Sequence, residues 1–153
     1  MLSVTIDGID DLARDFRRCE DEVSNSARRS VDEGTKAGVS YAKANHRYTD
    51  RTGKLTGEAF ASVETSAPGG AYGFMKWPAE YASFVENGTR PHLIVGNPWL
   101  SFVWKGVRVF VRRVNHPGTK PYAFGGDAYF VCERVMLRVL EEGVVSCQRI
   151  LDS

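Results

Sequence analysis

The run Tyr81-Ala82-Ser83-Phe84-Val85-Glu86-Asn87-Gly88-Thr89-Arg90-Pro91-His92 decides how the chain divides. Tyr81, Phe84 and Val85 fall at helical intervals, which predicts one or two helical turns after Pro78. Asn87-Gly88 ends them, because a glycine just past the last periodic residue supplies the left-handed conformation that stops a helix. The chain then leaves through Thr-Arg-Pro-His toward a second corner, His116-Pro117-Gly118-Thr119-Lys120-Pro121. Between the corners, Trp99–Trp104 and Val107–Val114 are β-rich runs joined by Lys105-Gly106, the pattern of a two-residue hairpin. Val107, Val109, Val111 and Arg113 share one face of the return strand; Arg108, Phe110, Arg112 and Val114 share the other.

Upstream of the corners, Leu2, Val4 and Ile6 alternate with polar residues as a short strand that Gly8 breaks. Ile9-Asp10-Asp11 opens a helix, with Leu12, Phe16, Cys19, Val23, Ala27 and Val31 on one stripe and the pattern running on through Ala44. Gly34 and Gly38 inside it predict a kink or a close helix contact, since each costs about 1 kcal/mol relative to Ala. Residues 46–54 read as a polar loop carrying His46, Arg47, Arg51 and Lys54. Leu55–Thr65 and Ala71–Trp77 read as hairpin strands about Pro68-Gly69-Gly70. Downstream, a dense apolar helix is expected from Asp127, with Gly143 ending or weakening it. The sum is one α+β domain: a long N-terminal helix and a C-terminal helix packed on an antiparallel sheet, a meander with its prominent hairpin near 99–114.

A chain of 153 residues suffices for one domain, and 42% hydrophobic with 25% charged residues is ordinary globular composition. Twenty basic against 19 acidic residues leave a net charge of +1, without the basic excess of a protein that grips phosphates. Three cysteines without CxxC spacing fit reduced thiols in a cytosolic protein better than a disulfide framework. The N-terminus lacks the pattern of a signal peptide, and no stretch approaches a membrane span.

His46, His92 and His116 stand apart in sequence without HExxH spacing, so no metal or other cofactor is expected. Ser83 and Ser101 lack a nucleophile elbow, and neither Gly69-Gly70 nor Gly125-Gly126 has the spacing of a phosphate loop. Glu80 and Glu86 read as solvated helix residues rather than a catalytic pair. No motif supports an enzyme. Arg108, Arg112 and Arg113 beside Phe102, Trp104 and Phe110 would suit phosphates and stacked bases, which keeps a small nucleic-acid-binding module as the reading from another class.

Four motifs in order carry a resemblance: Arg51-Thr52-Gly53-Lys54-Leu55, Tyr81–Thr89, Leu100-Ser101-Phe102-Val103-Trp104-Lys105-Gly106, and His116–Pro121. Together with the Gly-Ile-Asp-Asp-Leu helix entry, they resemble the tailed-bacteriophage neck and tail-completion family, over nearly the whole chain. The chain departs from the family pattern at Tyr122-Ala123-Phe124, where Pro-Phe-Leu is usual, and at Gly57-Glu58-Ala59-Phe60 before the strand. The resemblance implies a non-enzymatic virion protein that forms a hexameric or dodecameric ring at the head–tail junction. It implies as partners further copies of itself, the connector or stopper, and tail-terminator or tail-tube proteins, with DNA passing nearby without specific binding. A tail terminator capping the tube is the alternative within that class.

The assembly surface under this reading includes Arg47, Arg51 and Lys54 of the polar loop, and Arg108 and Arg112 of the hairpin. At the two corners it includes Glu86, Thr89, Arg90, His116 and Lys120.

Overall fold

The computed structural model describes residues 8–66 and 70–153; the expected strand at Leu2–Ile6 and the Pro68-Gly69 part of the first turn lie outside these. The elements in order are α1 (Ile9–Asn45), α2 (Lys54–Gly57), β1 (Phe60–Ser66) and β2 (Gly70–Lys76). They continue with α3 (Ala82–Asn87), β3 (His92–Trp104), β4 (Val107–His116) and α4 (Phe124–Leu151). The class is α+β, two long helices with antiparallel strands. The strands form two separate two-stranded sheets, β1–β2 and β3–β4, instead of one continuous meander.

α1 and α4 run antiparallel along a seam of small residues. Gly34 lies so close to α4 that a Cβ there would collide with Met136 and stand 2.9 Å from the Cys132 carbonyl oxygen. At Gly38 it would stand 2.7 Å from the Ala128 carbonyl oxygen and 2.5 Å from Met75 Sδ. The two glycines therefore mark a close helix contact within an unbroken 37-residue helix. Gly143 repeats the device from the other side: a Cβ there would run into Ser26, so α4 continues through it to Leu151. Farther along the seam Cys19 Sγ reaches the Cys147 carbonyl at 3.4 Å, and Cys147 Sγ reaches that of Cys19 at 3.5 Å. The β1–β2 hairpin packs on α1, with Gly73 set against the side chains of Val31 and Thr35.

A second core gathers where the loop after α1 meets α3 and the start of α4. Tyr48, Leu55, Ala79 and Phe124 are buried there, flanked by Trp77, Ala82 and Val85. The Phe124 ring meets Trp77 and Tyr48 edge-on, with centroids 5.2 and 5.3 Å apart. Leu55, expected at the start of a strand, sits instead in the one-turn helix α2, because the Asp50 carboxylate accepts the Thr56 N–H at 2.8 Å and holds the turn.

β3 starts at His92, earlier than Trp99, and pairs with β4 in two registers: His92–Val95 with Arg113–His116, and Leu100–Trp104 with Val107–Val111. The four residues Gly96–Trp99, which include a cis Asn97-Pro98 bond, bulge opposite Arg112 alone. Proline is accommodated at such a bulge because no ladder hydrogen bond is asked of it. At the tip Lys105 and Gly106 have φ of 49° and 82°, which matches the two left-handed positions of a type I′ turn.

Candidate assembly surface

The two corners that bracket the hairpin pair with each other. Thr89 N–H donates to the Thr119 carbonyl at 3.0 Å and Thr119 N–H to that of Thr89 at 3.1 Å. Below them Tyr122 N–H donates to Val85 O and Ala123 N–H to Glu86 O, at 3.1 and 3.2 Å. Gly88 and Gly118 make this approach possible, since a Cβ on either would collide with the carbonyl oxygen of the facing threonine. Gly88 ends α3 at φ 70°, ψ −179°, an extended conformation open essentially to glycine alone, and not the ordinary left-handed cap. His92 and His116 form the first rung above, their ring centroids 5.1 Å apart.

Glu86 projects from α3 onto the N-terminus of α4, where its carboxylate oxygens accept the N–H groups of Gly125 at 2.8 Å and Gly126 at 3.2 Å. These are first-turn donors with no partner inside the helix, and a carboxylate also complements the positive end of the helix dipole. This cap lets α4 begin at Phe124, three residues before Asp127. Arg47 reaches the same turn, 3.2 Å from the Asp127 carboxylate and 3.3 Å from the Tyr122 carbonyl. Glu86, Thr89 and Arg47, expected on an assembly surface, thus have partners within the chain.

Of the others, Arg90 and Lys120 are exposed at the corners, and His116 is half-buried with Nδ1 accepting the Gly118 N–H at 3.1 Å. Arg51 and Lys54 are exposed beside a groove lined by Tyr48, Asp50, Tyr81 and Tyr122. Burial pushes the Tyr48 hydroxyl above its ordinary value, and the Thr56 hydroxyl and N–H hold the Asp50 carboxyl below its own. Burial likewise raises the Cys19 and Cys132 thiols, which keeps both protonated and unreactive. Among the described residues no three His, Cys, Asp or Glu side chains gather as metal ligands.

Arg108 and Arg112 stand apart from the corners, on the hairpin. Arg112 lies over the Trp99 ring, 4.9 Å from its centroid, and Arg108 donates to Ser101 Oγ at 3.4 Å. Register places Leu100, Phe102, Trp104, Val107, Val109 and Val111 on one face of the outer ladder, without a charge among them. Trp104 and Val107 are 62% and 65% exposed, and Phe110 on the opposite face is 62% exposed. Among the described residues no other element packs extensively on either face. Sequence reasoning placed Phe102, Trp104 and Phe110 beside the arginines as a stacking surface, but put only the arginines on the assembly surface. The signal of the apolar residues was present, since both parities of β4 carry large apolar side chains.

The whole chain exposes 11552 Å². A compact monomer of 17.0 kDa exposes about 7,700 Å². The difference, about 3,800 Å², exceeds the roughly 1,600 Å² that one chain gives up to two standard interfaces. No protein-family model, curated protein or solved structure matches the chain, so the likeness to tail-completion proteins rests on its four motifs.

Proposed function

We propose that the protein is a structural subunit of a tailed-phage neck, a tail-completion protein that assembles into a ring and joins connector to tail through protein–protein contacts. The observation that carries this reading is an exposed area well above that of a compact monomer, with large apolar side chains such as Trp104, Val107 and Phe110 left exposed. Exposed apolar side chains gathered on one element mark surfaces that are covered in an assembly. A ring subunit needs two unlike patches, one for each neighbour, and closes when the rotation between copies fits. The projecting hairpin and the far end of the helix pair provide unlike surfaces. Near-zero net charge suits a collar that DNA threads, because strong phosphate binding would hinder passage.

The same hairpin favours one other reading, in which Arg108, Arg112 and Arg113 with Trp99 and Phe110 bind nucleic acid. Electron microscopy of the purified protein, alone and mixed with phage connectors or tail tubes, separates the two. Rings that attach to a connector or a tube end are expected. A monomer that ignores both and retards DNA at about 0.15 M salt would replace this reading with the nucleic-acid one.

A further inference from the structure

Cys19 and Cys147 face each other across the α1–α4 seam. Cys19 Sγ stands 3.4 Å from the Cys147 carbonyl oxygen, and Cys147 Sγ stands 3.5 Å from that of Cys19. A disulfide needs two backbones within about 7 Å and side chains that do not point apart. These reciprocal contacts show both thiols directed across a close-packed seam. The register of the helices agrees: the seam sets Cys132 against Gly34 and Gly143 against Ser26, and farther along it brings Cys147 to Cys19. Cys132 meets the Met136 thioether instead, at 3.7 Å. The facing pair differs in access, since Cys19 is buried and Cys147 only half-buried.

We infer that Cys19 and Cys147 form a conditional disulfide: two thiols in a reducing medium, a covalent staple between α1 and α4 in an oxidising one. The oxidant is a small disulfide of the glutathione type. The half-exposed Cys147 reacts first. Its thiolate attacks one sulfur of the reagent, which forms a mixed disulfide and releases one reagent thiol. Cys19 then attacks Cys147 Sγ, the S–S bond closes and the second reagent thiol leaves. The protein gives up two hydrogens and one reagent disulfide becomes two thiols, so the exchange balances. Burial and the nearby Cys147 thiol hold Cys19 above its ordinary value, which keeps it inert toward reagents in solution. Held against the mixed disulfide it needs only a small ionised fraction, because proximity replaces a bimolecular encounter. The staple joins residues 128 apart, and cross-links over long segments remove the most freedom from the unfolded chain. It fastens the end of the seam away from the core of Tyr48 and Phe124. The inference goes beyond the ring reading and stands or falls without it.

The test is incubation of the purified chain with oxidised glutathione, followed by alkylation of the remaining thiols, peptide mass mapping and thermal unfolding. A linked peptide pair containing Cys19 and Cys147 is expected, with Cys132 alkylated on denaturation. The oxidised protein is expected to unfold at least about 5 °C higher, and dithiothreitol to reverse the shift. Cys132→Ser should keep the shift, whereas Cys19→Ser and Cys147→Ser should each lose it, with circular dichroism establishing that each variant is folded. The wild-type peptide map decides the matter even where a variant fails to fold. A Cys147 that stays as the glutathione adduct, pairs with Cys147 of a second copy, or remains a thiol beside a free Cys19 overturns the inference. A linked protein whose unfolding temperature does not rise overturns the staple.

Discussion

Thr89 and Thr119 exchange two backbone hydrogen bonds, with their hydroxyl oxygens 3.1 Å apart, although 30 residues separate them. This single bridge closes the base of the hairpin and turns two glycine corners into one structural unit. Gly118→Ala is expected to break it, because φ is 86° and the new Cβ would enter the Thr89 carbonyl. Gly53→Ala is the control: its φ is 69°, yet nothing lies within 4 Å. Left-handed strain alone costs about 1–2 kcal/mol. Urea unfolding should show about that for Gly53→Ala and clearly more for Gly118→Ala. Equal losses would mean that close packing at the base contributes nothing.

The Glu86 cap predicts a loss of stability when its carboxylate is removed. Glu86→Ala leaves the Gly125 and Gly126 N–H groups without acceptors and should cost about 1–2 kcal/mol. For a chain of this size that lowers Tm by about 3–6 °C. Glu86→Gln keeps an acceptor oxygen and should lose less. A Gln variant as unstable as the Ala variant would assign the effect to charge at the helix end instead of to the hydrogen bonds.

Along the helix seam, Gly38→Ala should destabilise by about 1–3 kcal/mol despite alanine's better helix propensity, since α4 backbone stands 2.7 Å from the new Cβ. Gly57→Ala meets nothing and should be neutral or stabilising by up to about 1 kcal/mol. Thermal unfolding of the two variants reads both signs. A stabilised Gly38→Ala protein would refute the close contact between α1 and α4.

Asp50 gives a pH dependence. Its folded carboxyl is held below the ordinary range, first by the Thr56 hydroxyl and then by the Thr56 N–H, so the fold favours the ionised form. That contribution is complete above the unfolded value, about pH 4, and disappears as pH falls through the lower folded value. The Tm gap between wild type and Asp50→Ala should therefore be widest near neutral pH and close below about pH 4. A gap that persisted unchanged into stronger acid would mean that the carboxylate's charge plays no part in holding α2.

The long stripe of α1, the Lys105-Gly106 turn and the register of the outer hairpin were legible because each depends on neighbours close in sequence. Gly34 and Gly38 announced a close contact for the same reason: glycine in a helix interior calls for a local explanation. Glu86 was not legible as a cap, because its partners Gly125 and Gly126 lie 39 and 40 residues away. Leu55 was read as strand since nothing in its own run reveals the carboxylate at Asp50. Strand alternation distinguished the two faces of the hairpin but not what lies over them, and so the exposure of the apolar face of Phe102, Trp104 and Val107 could not be read from it.

The narrow base of the hairpin has a mechanical consequence. β4 has 10 residues, and four of the 13 in β3 bulge opposite one of them, so the arm is about 30 Å long. A tilt of about 10° at the Gly88 and Gly118 corners swings its tip by about 5 Å over that length. The arm is a lever whose fulcrum is two facing glycines. In a ring of the kind proposed, small adjustments there would change the pitch between copies without altering the surfaces that touch.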